Sequence, residues 1–406
     1  MYSSRIVLNQ RQIEAINWRN LQREETGLTD LADTEMTLAP EQIEMAFHLE
    51  KLGQEPRYNG SGICYGEAFY NSLKRKIYTS LPDDMFAMRC AVAVQNALIR
   101  AYPTMAGSYR KDEIGELDRF AVSVLKIGEP VLLVCEDLEK IWCYIITAQV
   151  QGWVLRNTLA LEPDNFRWRQ YCSSLDTVTV ADGCYPLCYT GREGICKKQM
   201  LFMGTQLPLY DVTRDAFVLG LPTKDRHGNF AVEQLRVPRD GGIIPGFLPL
   251  SAQNIISQAK KLLGEPYGWG GSNFHRDCTS LVMDVYATFG LQVPRNSCWQ
   301  IQMFGVERCP ENRAQKETFI RELMPGSILY FPGHAMLYLG EENRSLKILH
   351  SVYAIGLPEK ERIIPHKLRR VAEGSLQQYR INGELFLDAI NYVWVPDHQS
   401  RFLNSG

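Results

Sequence analysis

The pattern of apolar and polar positions changes character twice along the chain. Residues 1 to about 118 read as mostly helical; in 40–47, Ile43, Ala46 and Phe47 share one helical face. A helix through 99–104 is disfavoured by Pro103. From 119 to about 249, short β-rich runs alternate with Gly, Pro and Asp, as in 130–134, 141–146, 152–154, 177–180, 206–210 and 217–220. Short strands with frequent turn signals suggest small β-barrels. There is room for two, at 119–165 and 166–249.

Residues 250–406 carry a third pattern. Ser251 can cap a helix bearing Ile255, Ile256, Ala259, Leu262 and Leu263, ended by Gly264. A second helix is expected from about Cys278 to Phe289, with Leu281, Val282, Val285, Tyr286 and Phe289 on its buried face and Gly290 at its end. Strands follow at 327–331, 334–339, 346–352 and 392–395. Helices followed by antiparallel-type strands make an α+β domain, so the whole chain reads as multidomain α+β.

At 406 residues the chain has length for two to four domains. Its 45% hydrophobic and 22% charged residues are those of a globular protein. The net charge of −2 gives no reason to expect nucleic acid as a partner. No apolar run approaches the ~20 residues of a membrane span. Eleven Cys without regular spacing do not form a disulfide framework. The densest group, Cys184, Cys188 and Cys196, lacks the paired spacing of a zinc site. No metal and no cofactor are expected.

The candidate chemistry lies in 250–406. Cys278 falls at a helix start, where unpaired N–H groups and the helix dipole favour a thiolate. A thiol nucleophile needs a base, and His334 begins an alternating strand after Pro332-Gly333. There His334, Met336 and Tyr338 point to one side and Ala335, Leu337 and Leu339 to the other. His350 closes a neighbouring run; if the two strands pair, it can orient the His334 ring. Nucleophile, base and orienter in that chain order follow papain-like logic. Trp142 and Trp153 read as barrel core, His275 as loop surface.

The runs Tyr267-Gly268-Trp269-Gly270-Gly271, Asp277-Cys278-Thr279-Ser280-Leu281-Val282, Leu291-Gln292-Val293-Pro294-Arg295-Asn296-Ser297, 325–331, Gly333-His334-Ala335 and Leu349-His350-Ser351 together resemble the signature of the NlpC-type cell-wall peptidases. Segments at 97–104, 118–120, 127–131, 141–145 and 152–154 resemble a subfamily with an N-terminal clip-like region (here 1–118), two bacterial SH3-like barrels (119–165 and 166–249) and a papain-like catalytic domain (250–406). That subfamily is similar to γ-D-glutamyl-L-diamino acid endopeptidases of the dipeptidyl-peptidase VI type.

The resemblance implies a thiol protease acting on the murein stem peptide L-Ala-γ-D-Glu-diamino acid. Cys278 would be the nucleophile, His334 the base and His350 the orienter. The Cys278 N–H and Tyr267 would form the oxyanion site. Trp269, Asp277, Thr279, Asn296 and Ser297 would line the groove. Glu129, with Tyr144 as candidate partner, would read the free amine of the first L-Ala. Thr279-Ser280 stands for the family's Ser-Gly, Asn296 for an Asp, and Ser327 for the Asp of Pro-Gly-Asp. Rival readings are an N-acetylmuramoyl-L-alanine amidase and a non-catalytic murein-binding scaffold. A monomer is expected. The substrate points to the cell envelope; the opening 1–12, without a charged-then-apolar leader, points to the cytoplasm if that start is native.

Overall fold

Runs rich in Val, Ile, Leu and aromatic residues, cut by Gly and Asp turns, form strands because such side chains pack well on a pleated surface. In a computed structural model of the chain they assemble into three main antiparallel sheets in sequence order. The structure describes all residues except 1, 39–46, 48–52, 79–85, 175, 191–193, 195, 361 and 405–406. Residues 40–46 of the helix expected at 40–47 lie outside the described residues.

The first sheet comprises β1 (Arg89–Ala93), β2 (Ala97–Arg100), β3 (Ala121–Leu125), β4 (Pro130–Glu136), β5 (Trp142–Ile146), β6 (Gln151–Leu155) and β7 (Leu159–Leu161), in the order β3-β2-β6-β5-β4-β1-β7. It therefore begins well upstream of 119, and the expected boundary at 118 falls inside it. The reason is burial on both faces. Four consecutive residues of β1, Cys90 to Ala93, are buried, so the run shows no alternation and its alanines carry little strand signal. Trp142 and Trp153 lie in the core of this sheet.

The second unit holds β8 (Thr177–Val180), the hairpin β9 (Cys184–Thr190) and β10 (Cys196–Phe202), β11 (Gln206–Val212), β12 (Ala216–Lys224), β13 (Phe230–Pro238) and β14 (Ile243–Pro245). Five of these pair in the order β13-β12-β11-β8-β14. Both units are antiparallel sheets standing where small barrels are expected.

Nor is 1–118 mostly helical. Its described part has two longer helices, α1 (Gln10–Leu21) and α2 (Glu67–Tyr78), and they serve different cores. Ile13 and Ile16 of α1 join the core of the C-terminal domain. Leu73 and Ile77 of α2 join the core of the first sheet. α1 is tied down by Asn17, which donates to the Gly290 carbonyl at 2.8 Å, and by Asn20, which accepts from the Phe304 N–H at 2.7 Å.

Between the first sheet and β8 lies α3 (Asn165–Cys172). In the C-terminal domain, α4 (Ala252–Lys260) is capped by Ser251, whose hydroxyl accepts from Asn254 N–H. It stops before Leu262 and Leu263, and the chain then turns at Gly264 (φ 83°). Helix α5 (Cys278–Ala287) is followed by the sheet β15 (Val306–Arg308), β16 (Ile328–Phe331), β17 (His334–Glu342), β18 (Ser345–Glu359), β19 (Arg362–Ser375) and β20 (Tyr392–Trp394), ordered β15-β20-β16-β17-β18-β19. The alternation in β17 divides two cores. Ala335, Leu337 and Leu339 pack with α5, while Met336 and Tyr338 face the opposite layer. Among the described residues no helix is long and apolar enough to cross a membrane.

Candidate active site

The local sequence fixes the start of α5 tightly. The Asp277 carboxylate accepts from the Ser280 N–H at 2.9 Å, and the Ser280 hydroxyl accepts from the Asp277 N–H at 2.9 Å, a complete capping box. Cys278 is thus the first helical residue, and its own N–H has no intrahelical acceptor. The backbone N–H groups of Ala335 and Thr279 are directed at its sulfur, which puts the thiol beside the start of β17. Burial pushes the thiol up to about 12, and the Asp277 charge acts in the same direction.

His334 follows the tight turn Pro332-Gly333, where Gly333 has φ 83°, and pairs with Phe331 across the hairpin. Strands β17 and β18 do pair, with Leu337 opposite Leu349. This brings His334 Nε2 to 2.9 Å from Nδ1 of the buried His350. Phe331 lies 5.0 Å from the His334 ring and Phe386 5.7 Å from the His350 ring, centroid to centroid. Burial, with the nearby Arg380 charge, lowers His334 to about 4. Burial, then the His334 ring, lowers His350 further. Burial therefore favours the uncharged forms of the thiol and of both imidazoles. A bond between two neutral rings requires one to donate and the other to accept.

The loop before α5 supplies the flanking wall. Tyr267 donates its N–H to the Arg369 carbonyl, and its ring lies 6.0 Å from that of Tyr353. Burial raises its hydroxyl pKa, and an ionised Cys278 would raise it next most strongly. Trp269 lies under the Arg119 guanidinium at 4.2 Å. Gly270 (φ 57°) sits so close to β3 that an added Cβ would fall 2.2 Å from the Ala121 carbonyl oxygen.

The other expected groove residues are placed differently. Asp277 and Thr279 are buried and engaged internally. Asp277 receives Arg295 Nη2 at 2.6 Å and the Gly270 N–H at 3.1 Å, and Thr279 Oγ1 receives Arg295 Nη1 at 2.7 Å. Neither is presented to a ligand. Asn296 and Ser297 begin a single helical turn, with the Asn296 carbonyl accepting from Trp299 and Gln300. Ser327 is buried and bonds to the Met324 carbonyl.

Tyr144 is not a site residue. It packs in the first-sheet core against Phe47 and Trp153, with centroids 4.8 and 5.3 Å away. Glu129 lies in the wall of a cavity of about 580 Å³ shared with Lys126, Asp284, Ser280 and Arg295, whose lining does not include Cys278, His334 or His350. Burial raises its carboxyl to about 7. The Gly-Glu-Pro spacing in the short turn before β4 carries no information about which face of the sheet the carboxylate takes. His275 is a loop residue, as expected, 3.9 Å from Glu265.

Sequence reasoning missed the clasp made by Glu116. Its carboxylate takes the Tyr353 hydroxyl, Lys367 Nζ at 3.0 Å and Arg369 Nη2 at 2.6 Å. Burial is the largest single influence and raises its pKa, but these bonds together outweigh it and hold the carboxyl down at about 2. It also missed Arg295, Arg380 and Phe386. Arg295 stands inside a recognised motif, but nothing local says that it points at Asp277.

Residues 264–356 match the NlpC/P60 family. Dipeptidyl-peptidase 6 of Lysinibacillus sphaericus is 32% identical over 90 residues, 22% of this chain and 30% of that protein. The chain thus spans less than a third of that relative's length. An NlpC/P60 endopeptidase from Photobacterium damselae subsp. piscicida superposes over 97% of this chain and 94% of its own, with TM-score 0.79 and 18% identity. An NlpC/P60 family protein from Bacillus cereus ATCC 10987 covers 75% of this chain and 98% of its own, with TM-score 0.51 and 15% identity. At such identities the likeness to the solved structures is one of fold. Within the C-terminal domain, residues 264–356 are thus similar to the NlpC/P60 domain.

Proposed function

We propose that this protein is a cysteine peptidase that hydrolyses the γ-D-glutamyl–diamino acid bond of murein stem peptides. The observation that carries the reading is the arrangement at the strand-helix junction. A thiol on the first turn of α5 abuts the strand that begins with His334, and His334 is bonded through Nε2 to His350, which leaves its Nδ1 for the thiol proton. The sulfur attacks the γ-carbonyl carbon as its proton passes to His334. The diamino acid leaves as an amine, taking that proton, and a thioester remains. Water then attacks the thioester, giving its proton to His334 and restoring the thiol. The oxyanion would be met by the Cys278 N–H and the Tyr267 hydroxyl. No step calls for a cofactor.

The test is mass spectrometry after incubation with L-Ala-γ-D-Glu-diaminopimelate. The expected products are L-Ala-γ-D-Glu and free diaminopimelate, absent with Cys278→Ala. Release of peptide from muramoyl peptide, with the tripeptide left intact, would make the protein an amidase instead. No hydrolysis of either would leave the scaffold reading.

A further inference from the structure

The start of the Cys278 helix is held by more than its own capping box. The Arg295 guanidinium, 3% exposed, bridges three groups. It grips both Asp277 oxygens, at 2.6 and 3.2 Å. It donates to Thr279 Oγ1 at 2.7 Å. Its Nε donates to Ser123 Oγ, on β3 of the first sheet, at 3.1 Å. The residues on either side of Cys278 and a strand of another domain therefore meet on one side chain. The same Asp277 also receives the Gly270 N–H, from the loop that packs on Ala121 of β3.

Charge gives this contact a second role. A carboxylate next to the reactive sulfur opposes thiolate formation, and in this site Asp277 does so while Arg295 acts the other way. A buried carboxylate without a cation would also be costly to hold in place. We infer that Arg295 is a positioning residue: it clamps Asp277 so that the Cys278 helix start stays in register with the first sheet and the sulfur is shielded from the adjacent carboxylate. Arg295 acts through Asp277 and does not touch the reacting atoms. The inference rests on Cys278 being the reactive thiol.

Alkylation of Cys278 by iodoacetamide tests this without any peptide substrate. The sulfur displaces iodide, a C–S bond replaces C–I, and the thiol proton goes to His334 and then to solvent. Five other cysteines, at 64, 184, 188, 196 and 298, are exposed, so the label at Cys278 is followed by peptide mapping. Arg295→Gln should slow Cys278 labelling at pH 7.5 by about tenfold or more, the effect of one pK unit from an uncompensated neighbouring charge. Adding Asp277→Asn, which keeps a good cap, should return the rate to within about threefold of the unaltered chain. Arg295→Lys, keeping the charge without the fork, should fall between. In the peptide assay kcat should drop while KM holds.

If Arg295→Gln does not fold, the double variant and Arg295→Lys still decide the matter. A double variant labelled no faster than about a tenth of the unaltered rate, or Arg295→Lys labelled as slowly as that, overturns the inference on the same one-unit scale. Cys278 labelling unaffected by Arg295→Gln overturns it alone. A Cys278 that does not label in the unaltered chain overturns the peptidase reading as well.

Discussion

Replacing Cys278 by Ala removes one sulfur from a packed helix start, so hydrolysis should fall to background while circular dichroism is unchanged. Because thiol and imidazole act as a unit, Cys278→Ala with His334→Ala should cost no more than the worse single change. His350→Ala should be milder than His334→Ala, since His350 holds a ring and transfers no proton to substrate; an equal or larger loss would reverse the two roles. The same histidines set a stability limit in acid. His334 is lowered from 6.5 to about 4, so between these values the unfolded chain binds a proton that the fold does not. Stability from this site is complete above pH 6.5 and is lost as pH falls towards 4, with a slope of up to about 1.4 kcal/mol per pH unit per imidazole. His350, shifted the same way, adds to it. Chemical denaturation across pH 4–7 should show this slope, and His350→Gln should flatten it.

At the level of elements, packing distinguishes two glycines that look alike in sequence, Gly270 in the loop before α5 and Gly333 in the turn between β16 and β17. Both have positive φ, but a Cβ on Gly270 would strike the Ala121 carbonyl, whereas Gly333 faces open space. Gly333→Ala should cost only the conformational penalty, about 1–2 kcal/mol. Gly270→Ala should cost more, and should slow Cys278 labelling because it pushes the loop off β3. A melting comparison of the two variants checks this.

Legibility follows the same division. The α5 helix, its Gly290 stop and the β17 alternation were readable because each is written in local periodicity. The His334–His350 contact was readable because a two-residue turn and a short loop leave little choice of register. The Arg295–Asp277 clamp, the Glu116 clasp and the cavity beside Glu129 depend on how separate sheets dock, which no local pattern records. The strands at 89–100 were hidden for a different reason: burial on both faces erases the alternation by which strands are recognised.

For the molecule as a whole, Glu116 ties the first-sheet unit to β18 and β19 of the C-terminal sheet. Its carboxyl, held near 2 against an ordinary 4.5, contributes stability that is present above pH 4.5 and lost as pH falls towards 2. Its basic partners are open to solvent, so the contribution is small and salt-sensitive. Glu116→Gln should lower the melting temperature slightly at pH 7, less so in high salt, and not at all near pH 2. An unchanged temperature at pH 7 in low salt would show that the clasp holds nothing.

The seating of α1 on the catalytic domain also has a consequence for the order of events during synthesis. Asn17 and Asn20 bond to Gly290 and Phe304, groups that leave the ribosome some 273 and 284 residues later. Helix α1 therefore has no partner surface until residues 290–304 have emerged, while the sheet that carries Ser123 can close long before Arg295 appears. The Cys278 helix start would then be assembled against a finished platform, and α1 would dock last, as the seal. Pulse-labelled hydrogen exchange during refolding should find amides of β4 and β5 protected early and those of α1 last. Early protection of α1 would place it in the nucleus instead.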